Sequence, residues 1–311
     1  MSSSLRPFAF FAAAAACLLP WVGPATALTA GILFSLLVGN PGPQRTAIWS
    51  KVLLQASVVG LGFGLSLSTV WRVGARSALY TVVGIAATLA AGYVLGRLAG
   101  TAGPLSTLIS FGTAICGGSA IAAMGPVVKA KTEEIAVALA TVFTLNAAAL
   151  VLFPAVGRFL QMGQGTFGLW AGLAIHDTSS VVGAASAYGA EALAVATTVK
   201  LTRALWIMPC VLAAAFVKRS DQKVKFPLFI LGFLVAAAVR TALPALQGVW
   251  DALVAVARQS LVLTLFLIGA GLTRDVLRRV GIRPLAQGVL LWALVSGATL
   301  GAITTGLIAP P

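Results

Sequence analysis

Between Leu173 and Ala185 the chain reads LAIHDTSSVVGAA, which sets its single histidine, His176, beside Asp177 in an otherwise apolar stretch. The next apolar stretch carries Lys200 and Arg203, three residues apart and so on one helix face. Ionisable groups at membrane depth are expensive and mark substrate or ion paths. Two cations so placed suit a dianion, or one substrate anion and one protein carboxylate, and Asp177 is the carboxylate nearest in sequence. An internal ion pair that only fixes packing is the competing use of the same residues. His176 has a side chain that titrates near neutrality, so it could carry protons in a coupled cycle or serve as a hydrogen-bonded core histidine.

A second stretch echoes the first. Ala114-Ile115-Cys116-Gly117-Gly118-Ser119-Ala120 stands beside Ala174-Ile175-His176-Asp177-Thr178-Ser179-Ser180. Gly117 and Gly118 each lower helix propensity by about 1 kcal/mol. Ser119, Asp177 and Thr178 are side chains that cap helix N-termini. The pattern predicts two discontinuous helices. Each would present a half-helix N-terminus inside the membrane, with free N–H groups and partial positive charge suited to an anion. A kink or a glycine-mediated close approach of helices is the structural alternative. Asn146, midway between the two stretches, could line the same cavity or make an interhelical hydrogen bond.

These residues need elements to hold them, and composition says what those are. The chain has 311 residues, 59% hydrophobic and 9% charged, with a mean hydropathy of +1.00. A soluble domain carries about 25% charge. The solvent must therefore be a bilayer, and spans of about 20 residues give ten or eleven segments. The net charge of +14 lies mostly in short loops, as orientation by positive charge requires, so no nucleic acid is expected as a partner. Cys17, Cys116 and Cys210 form no C-x-x-C pair, and with one histidine no metal site is expected. No Gly-x-Ser-x-Gly elbow is present, so an enzyme is not expected either. Nothing calls for a cofactor.

Candidate spans are 26–40, 46–68, 77–98, 104–128, 132–157, 166–187, 191–216, 226–243, 250–272 and 285–308. Residues 8–22 add a first membrane helix, preferred over a signal peptide for which Ala25-Thr26-Ala27 would be the cleavage site. Lys200 and Arg203 then lie roughly 14–18 Å deep, near the midplane. Lys218, Arg219, Lys223 and Lys225 fill one basic loop, and Arg274, Arg278, Arg279 and Arg283 another. Two spans separate these loops, so both can be cytoplasmic, which puts the N-terminus inside and the C-terminus outside. Segments 104–128 and 166–187 either cross or are re-entrant. Trp21, Trp49, Trp71 and Trp250 read as interface anchors. Arg240 and Arg258 read as structural.

Residues 62–76, GFGLSLSTVWRVGAR, align with 269–283, GAGLTRDVLRRVGIR, at a shift of 207 with seven of fifteen identities. An odd number of segments separates the copies, which therefore face opposite sides of the membrane. That is the inverted-repeat signature of secondary transporters, with copies around 46–98 and 250–308.

Three motifs, FGTAICGGSAI from Phe111, HDTSSVVG from His176 and VKLTR from Val199, occur in this order and resemble the YeiH-like family of bacterial inner-membrane proteins over nearly the whole chain. That family is commonly labelled as sulfate exporters. The resemblance implies a place among bile-acid symporters and cation–proton antiporters, whose folds have inverted repeats and two crossing broken helices around a midplane site. It also implies export of sulfate or related sulfonates.

The expectation is an all-α polytopic membrane protein: about 11 segments, inverted repeats, a single transporter domain over 1–311 and two discontinuous helices near the midplane. Its partners would be a small anion and the lipid bilayer, with a homodimer as an option. Lys200 and Arg203 would supply charge. Ser119, Thr178, Ser179, Gly117, Gly118 and Asn146 would complete the binding site, and Asp177 and His176 would couple ions or protons. A proton- or sodium-coupled cation antiporter using Asp177, and a passive anion channel, are the alternatives.

Overall fold

The computed structural model describes residues 5–19, 21–101, 103–218, 228–271 and 281–309. Among them every regular element is helical, as a chain in lipid requires when its backbone groups must be satisfied internally. The helices are α1 (Leu5–Ala16), α2 (Pro24–Leu37), α3 (Pro43–Gly62), α4 (Leu67–Leu98), α5 (Gly103–Ala114), α6 (Gly118–Val127), α7 (Thr132–Phe159), α8 (Gln164–Ala174), α9 (Thr178–Tyr188), α10 (Ala190–Leu205), α11 (Ile207–Lys218), α12 (Leu228–Ala242), α13 (Gln247–Gly271) and α14 (Ile282–Thr304). By length and composition, five stretches among the described residues can cross a membrane: Leu67–Leu98, Glu133–Phe159, Ala190–Val217, Pro244–Gly271 and Ile282–Thr304. The segments expected at 104–128 and 166–187 are each two short helices, and that expected at 191–216 is divided by one turn at Trp206. The basic stretches 219–225 and 274–279, and most of the second copy of the repeat, lie outside the described residues.

The chain divides into two units, with the boundary after Trp71 inside α4. The first holds residues 1–71 and 227–277. Its helices α2 and α13 approach through glycines: a Cβ built on Gly31 would lie 2.2 Å from the Phe266 carbonyl oxygen, and one on Gly269 would lie 2.4 Å from that of Leu28. Phe10 of α1 packs on Phe34 and Phe266 at ring separations of 5.6 and 5.5 Å. The Gln259 amide donates to the Cys17 and Leu19 carbonyls at the end of α1 (2.9 and 3.1 Å). Arg240 has the expected structural place, donating to Phe63 O at 2.8 Å just past α3. Trp250 departs from the anchor expectation. It is buried, stacks on Phe63 and donates its indole N–H to Leu243 O. Trp21, Trp49 and Trp71 are exposed.

The second unit holds residues 72–226 and 278–311. Gly168 and Gly172 of α8 lie against Val195 and Val199 of α10. Gly92 and Gly96 of α4 leave room for Ser110 and Ser106 of α5, and the buried Gln287 of α14 donates to Ser106 Oγ at 2.8 Å. Trp170 of α8 stacks on Phe153 of α7 and donates to Ser296 O of α14 at 3.1 Å. All the expected site residues lie in this unit.

Candidate functional site

Both interruptions fall where the glycines and caps predict. The chain leaves α5 at Ala114, turns through Ile115, Cys116 and Gly117, and re-enters as α6 at Gly118. Gly117 makes that turn at φ +64 and ψ −123, a conformation open to glycine and strained for other residues. The second break spans Ile175 to Asp177. Asp177 is the N-cap of α9: its carboxylate accepts from Ser179 N at 3.0 Å and from the Ser179 hydroxyl. The breaks touch, since a Cβ built on Gly117 would lie 3.1 Å from the Asp177 Cβ.

Lys200 and Arg203 reach this crossing from α10, and both are buried. The Lys200 ammonium donates to Ile175 O at 2.6 Å, just past the end of α8. Arg203 is forked. Its Nε donates to Ala114 O, the last residue of α5, at 2.6 Å, and Nη1 donates to Leu173 O near the end of α8. One guanidinium thus ties together the C-terminal ends of two half-helices that are 59 residues apart in sequence between Ala114 and Leu173. Those ends carry free carbonyls and partial negative charge, which a cation satisfies and neutralises. Asp177 bonds Ser179, and the cations bond carbonyls.

With the negative poles of α5 and α8 neutralised and the positive pole of α9 capped by Asp177, the positive pole of α6, whose N-cap Gly117 offers no side chain, remains at the crossing. Ser119, on the first turn of α6, is exposed, Gly118 is half-buried, and Asp177 and Ser179 are half-buried; Thr178 is buried. Phe143 and Leu139 of α7 cover Gly118, and Val142 lies over Gly112. Asn146 is one turn further on that same face of α7, since residues three and four apart are neighbours. It is buried, and among the described residues neither atom of its amide has a partner. His176 has no solvent exposure, and among the described residues neither ring nitrogen has a partner. It lies within Coulombic reach of both cations.

A family model described as "Conserved hypothetical protein 698" matches residues 8–288. The UPF0324 membrane protein of Geobacter sulfurreducens is 62% identical over 301 residues, covering 97% of each chain. That of Bdellovibrio bacteriovorus is 50% identical over 313 residues, covering 98% of this chain and 96% of its own. That of Bacteroides thetaiotaomicron is 51% identical over 288 residues, covering 91% and 87%.

The chain belongs to the UPF0324 membrane protein family.

The resemblance drawn from its motifs to the YeiH-like proteins therefore holds at the level of the family. No solved structure matches it.

In this UPF0324 protein the crossing includes two residues that motif reading missed, Thr113 and Thr197. Buried helical threonines usually bond the carbonyl four residues back. Thr141, Thr198 and Thr264 do so here. Thr113 and Thr197 are buried, and among the described residues their hydroxyls have no partner. Thr113 adjoins Ala114, which receives Arg203, and Thr197 lies one turn before Lys200 on α10. Their available signal was position: each is a hydroxyl in an apolar helix within one turn of a residue already singled out.

Proposed function

We propose that this protein is a secondary carrier that moves a small oxyanion, of the sulfate or sulfonate class, out of the cell across the bacterial inner membrane. The anion sits where the two interrupted helices meet and is exposed alternately to each side. One observation carries this: Lys200 and Arg203 are committed to the carbonyl ends of both breaks. The crossing therefore keeps the uncapped positive pole of α6 while its negative poles are cancelled and Asp177 caps α9, so an anion is favoured there without a free cation. The N–H groups of Gly118 and Ser119 and the hydroxyls of Ser119, Thr178 and Ser179 bind it, with Asn146 beside them. Asp177 and His176 couple its movement to ions or protons. The cations act one step back from the anion, as fixed counter-charges and as the tie that makes both breaks move together.

An inverted repeat supports alternating access. The first copy is carried by α3 and α4, and the second by α13 and α14. Within one unit α3 packs on α13, with Gly60 against Ala257. Within the other α4 packs on α14, with Gly92 against Leu291. The N-terminus is cytoplasmic and the C-terminus periplasmic in this proposal. A cation–proton antiporter is the rival reading, and it has one observation in its favour: Asp177 is more open than either cation. Uptake into proteoliposomes of sulfate, sulfite, thiosulfate, sulfonates and carboxylates, with and without a pH gradient, separates the two. Saturable anion flux supports the carrier; sodium–proton exchange without anion flux rejects it.

A further inference from the structure

Building on the anion reading above, we infer that the crossing accepts one negative charge per cycle, so that a monoanion is carried alone and a dianion is carried together with one proton held on His176. Charge balance in a buried site sets this limit. Lys200 and Arg203 contribute two positive charges, set on the negative poles of α8 and α5, and Asp177 contributes one negative charge as the cap of α9. The half-helix poles cancel in pairs, two negative against two positive. The net is a single positive charge. Burying an uncompensated charge is expensive, and an ion that brings the site to neutrality avoids that penalty. A monoanion does so directly. A dianion leaves one charge over, which one proton removes.

His176 is the group placed to take that proton. It adjoins Asp177, has no solvent exposure, and has no partner on either ring nitrogen among the described residues. Unpartnered buried polar atoms in a native fold call for an explanation, and a group that gains its partner only on loading supplies one. Without a ligand the imidazole is neutral, because a buried imidazolium would need acceptors that it lacks. A dianion supplies the acceptor and the compensating charge at once. The charged groups that act on it are Lys200 and Arg203 on α10, and Asp177 is its neighbour in sequence. Cys116 is a buried thiol and stays out of the balance.

The test reads charge per anion in proteoliposomes of the full-length protein, using radiolabelled flux and current together. The probes are sulfate as a permanent dianion and methanesulfonate as a monoanion. Wild-type protein is expected to move one net negative charge with each, and an opposing pH gradient is expected to slow sulfate alone. His176→Gln is expected to lower sulfate flux at least tenfold and to remove its response to the pH gradient, with a monodisperse profile in detergent and a wild-type melting temperature as the test of folding. Two charges per sulfate in the wild type overturn the inference, as does undiminished sulfate flux in His176→Gln. Wild-type protein that moves neither anion overturns the anion reading itself. The wild-type charge measurement decides the matter even where the variant fails to fold.

Discussion

Replacing Arg203 by leucine removes a side chain that bonds both breaks, and its cost can be worked out from the bonds lost. Two charge-assisted hydrogen bonds go, one to Ala114 O and one to Leu173 O. Each is worth roughly 1.5–3 kcal/mol, so the loss is about 3–6 kcal/mol, and both carbonyls are left buried without a partner. At roughly 2.1 cal/mol/K per residue, each kcal/mol lowers the Tm of a 311-residue chain by about 1.5 °C, so a fall of about 5–9 °C is expected. Lys200→Leu removes a single bond, to Ile175 O, and should lower Tm by about half as much. Arg203→Lys keeps the charge but not the fork, and should fall between wild type and leucine. Tryptophan-fluorescence melting in detergent micelles measures all three. An Arg203→Leu protein melting within about 2 °C of wild type, or a Lys200→Leu protein melting lower than it, would refute the assignment of these cations to the carbonyl ends.

Three further outcomes follow from the same geometry. Gly117→Ala should destabilise by about 1–3 kcal/mol, because φ is +64 and the new methyl would crowd Asp177, and transport should fall with it; thermal melting and flux measured together check this. Asp177→Asn keeps a capping side chain and removes the negative charge, so sulfate should then carry two charges per cycle and lose its response to pH, whereas Asp177→Ala should also cost about 1 kcal/mol of stability through the lost cap. The packing of Phe10 on Phe34 and Phe266, with Gln259 closing the end of α1, makes α1 (Leu5–Ala16) an integral part of its unit; intact-mass analysis should find it in the membrane-extracted protein, and a chain beginning after Ala27 would contradict this.

Much of the helical plan was legible because a bilayer makes one strong demand, a run of apolar residues long enough to satisfy its own backbone. The breaks were legible for a related reason. Two adjacent glycines, and an aspartate followed by threonine and serine, are conspicuous where every neighbour is apolar. The targets of Lys200 and Arg203 were not legible. Their spacing put them on one helix face but said nothing of what faced them, and backbone carbonyls carry no mark in a sequence. Thr113 and Thr197 were missed because a threonine in a helix normally bonds its own backbone, and only coordinates show when it does not. Trp250 misled because its position near a span end resembles an interface anchor, whereas its partner Phe63 lies 187 residues away.

The central claim is that the meeting point of the two interrupted helices is an anion site. The measurement closest to it is the current evoked on solid-supported membranes by a jump in sulfate or methanesulfonate concentration at constant sodium and pH. The account predicts a saturable displacement of negative charge with either anion, strongly reduced in the Ser119→Ala, Ser179→Ala double variant. Silence toward both anions, with a saturable positive displacement on a sodium jump, would contradict it.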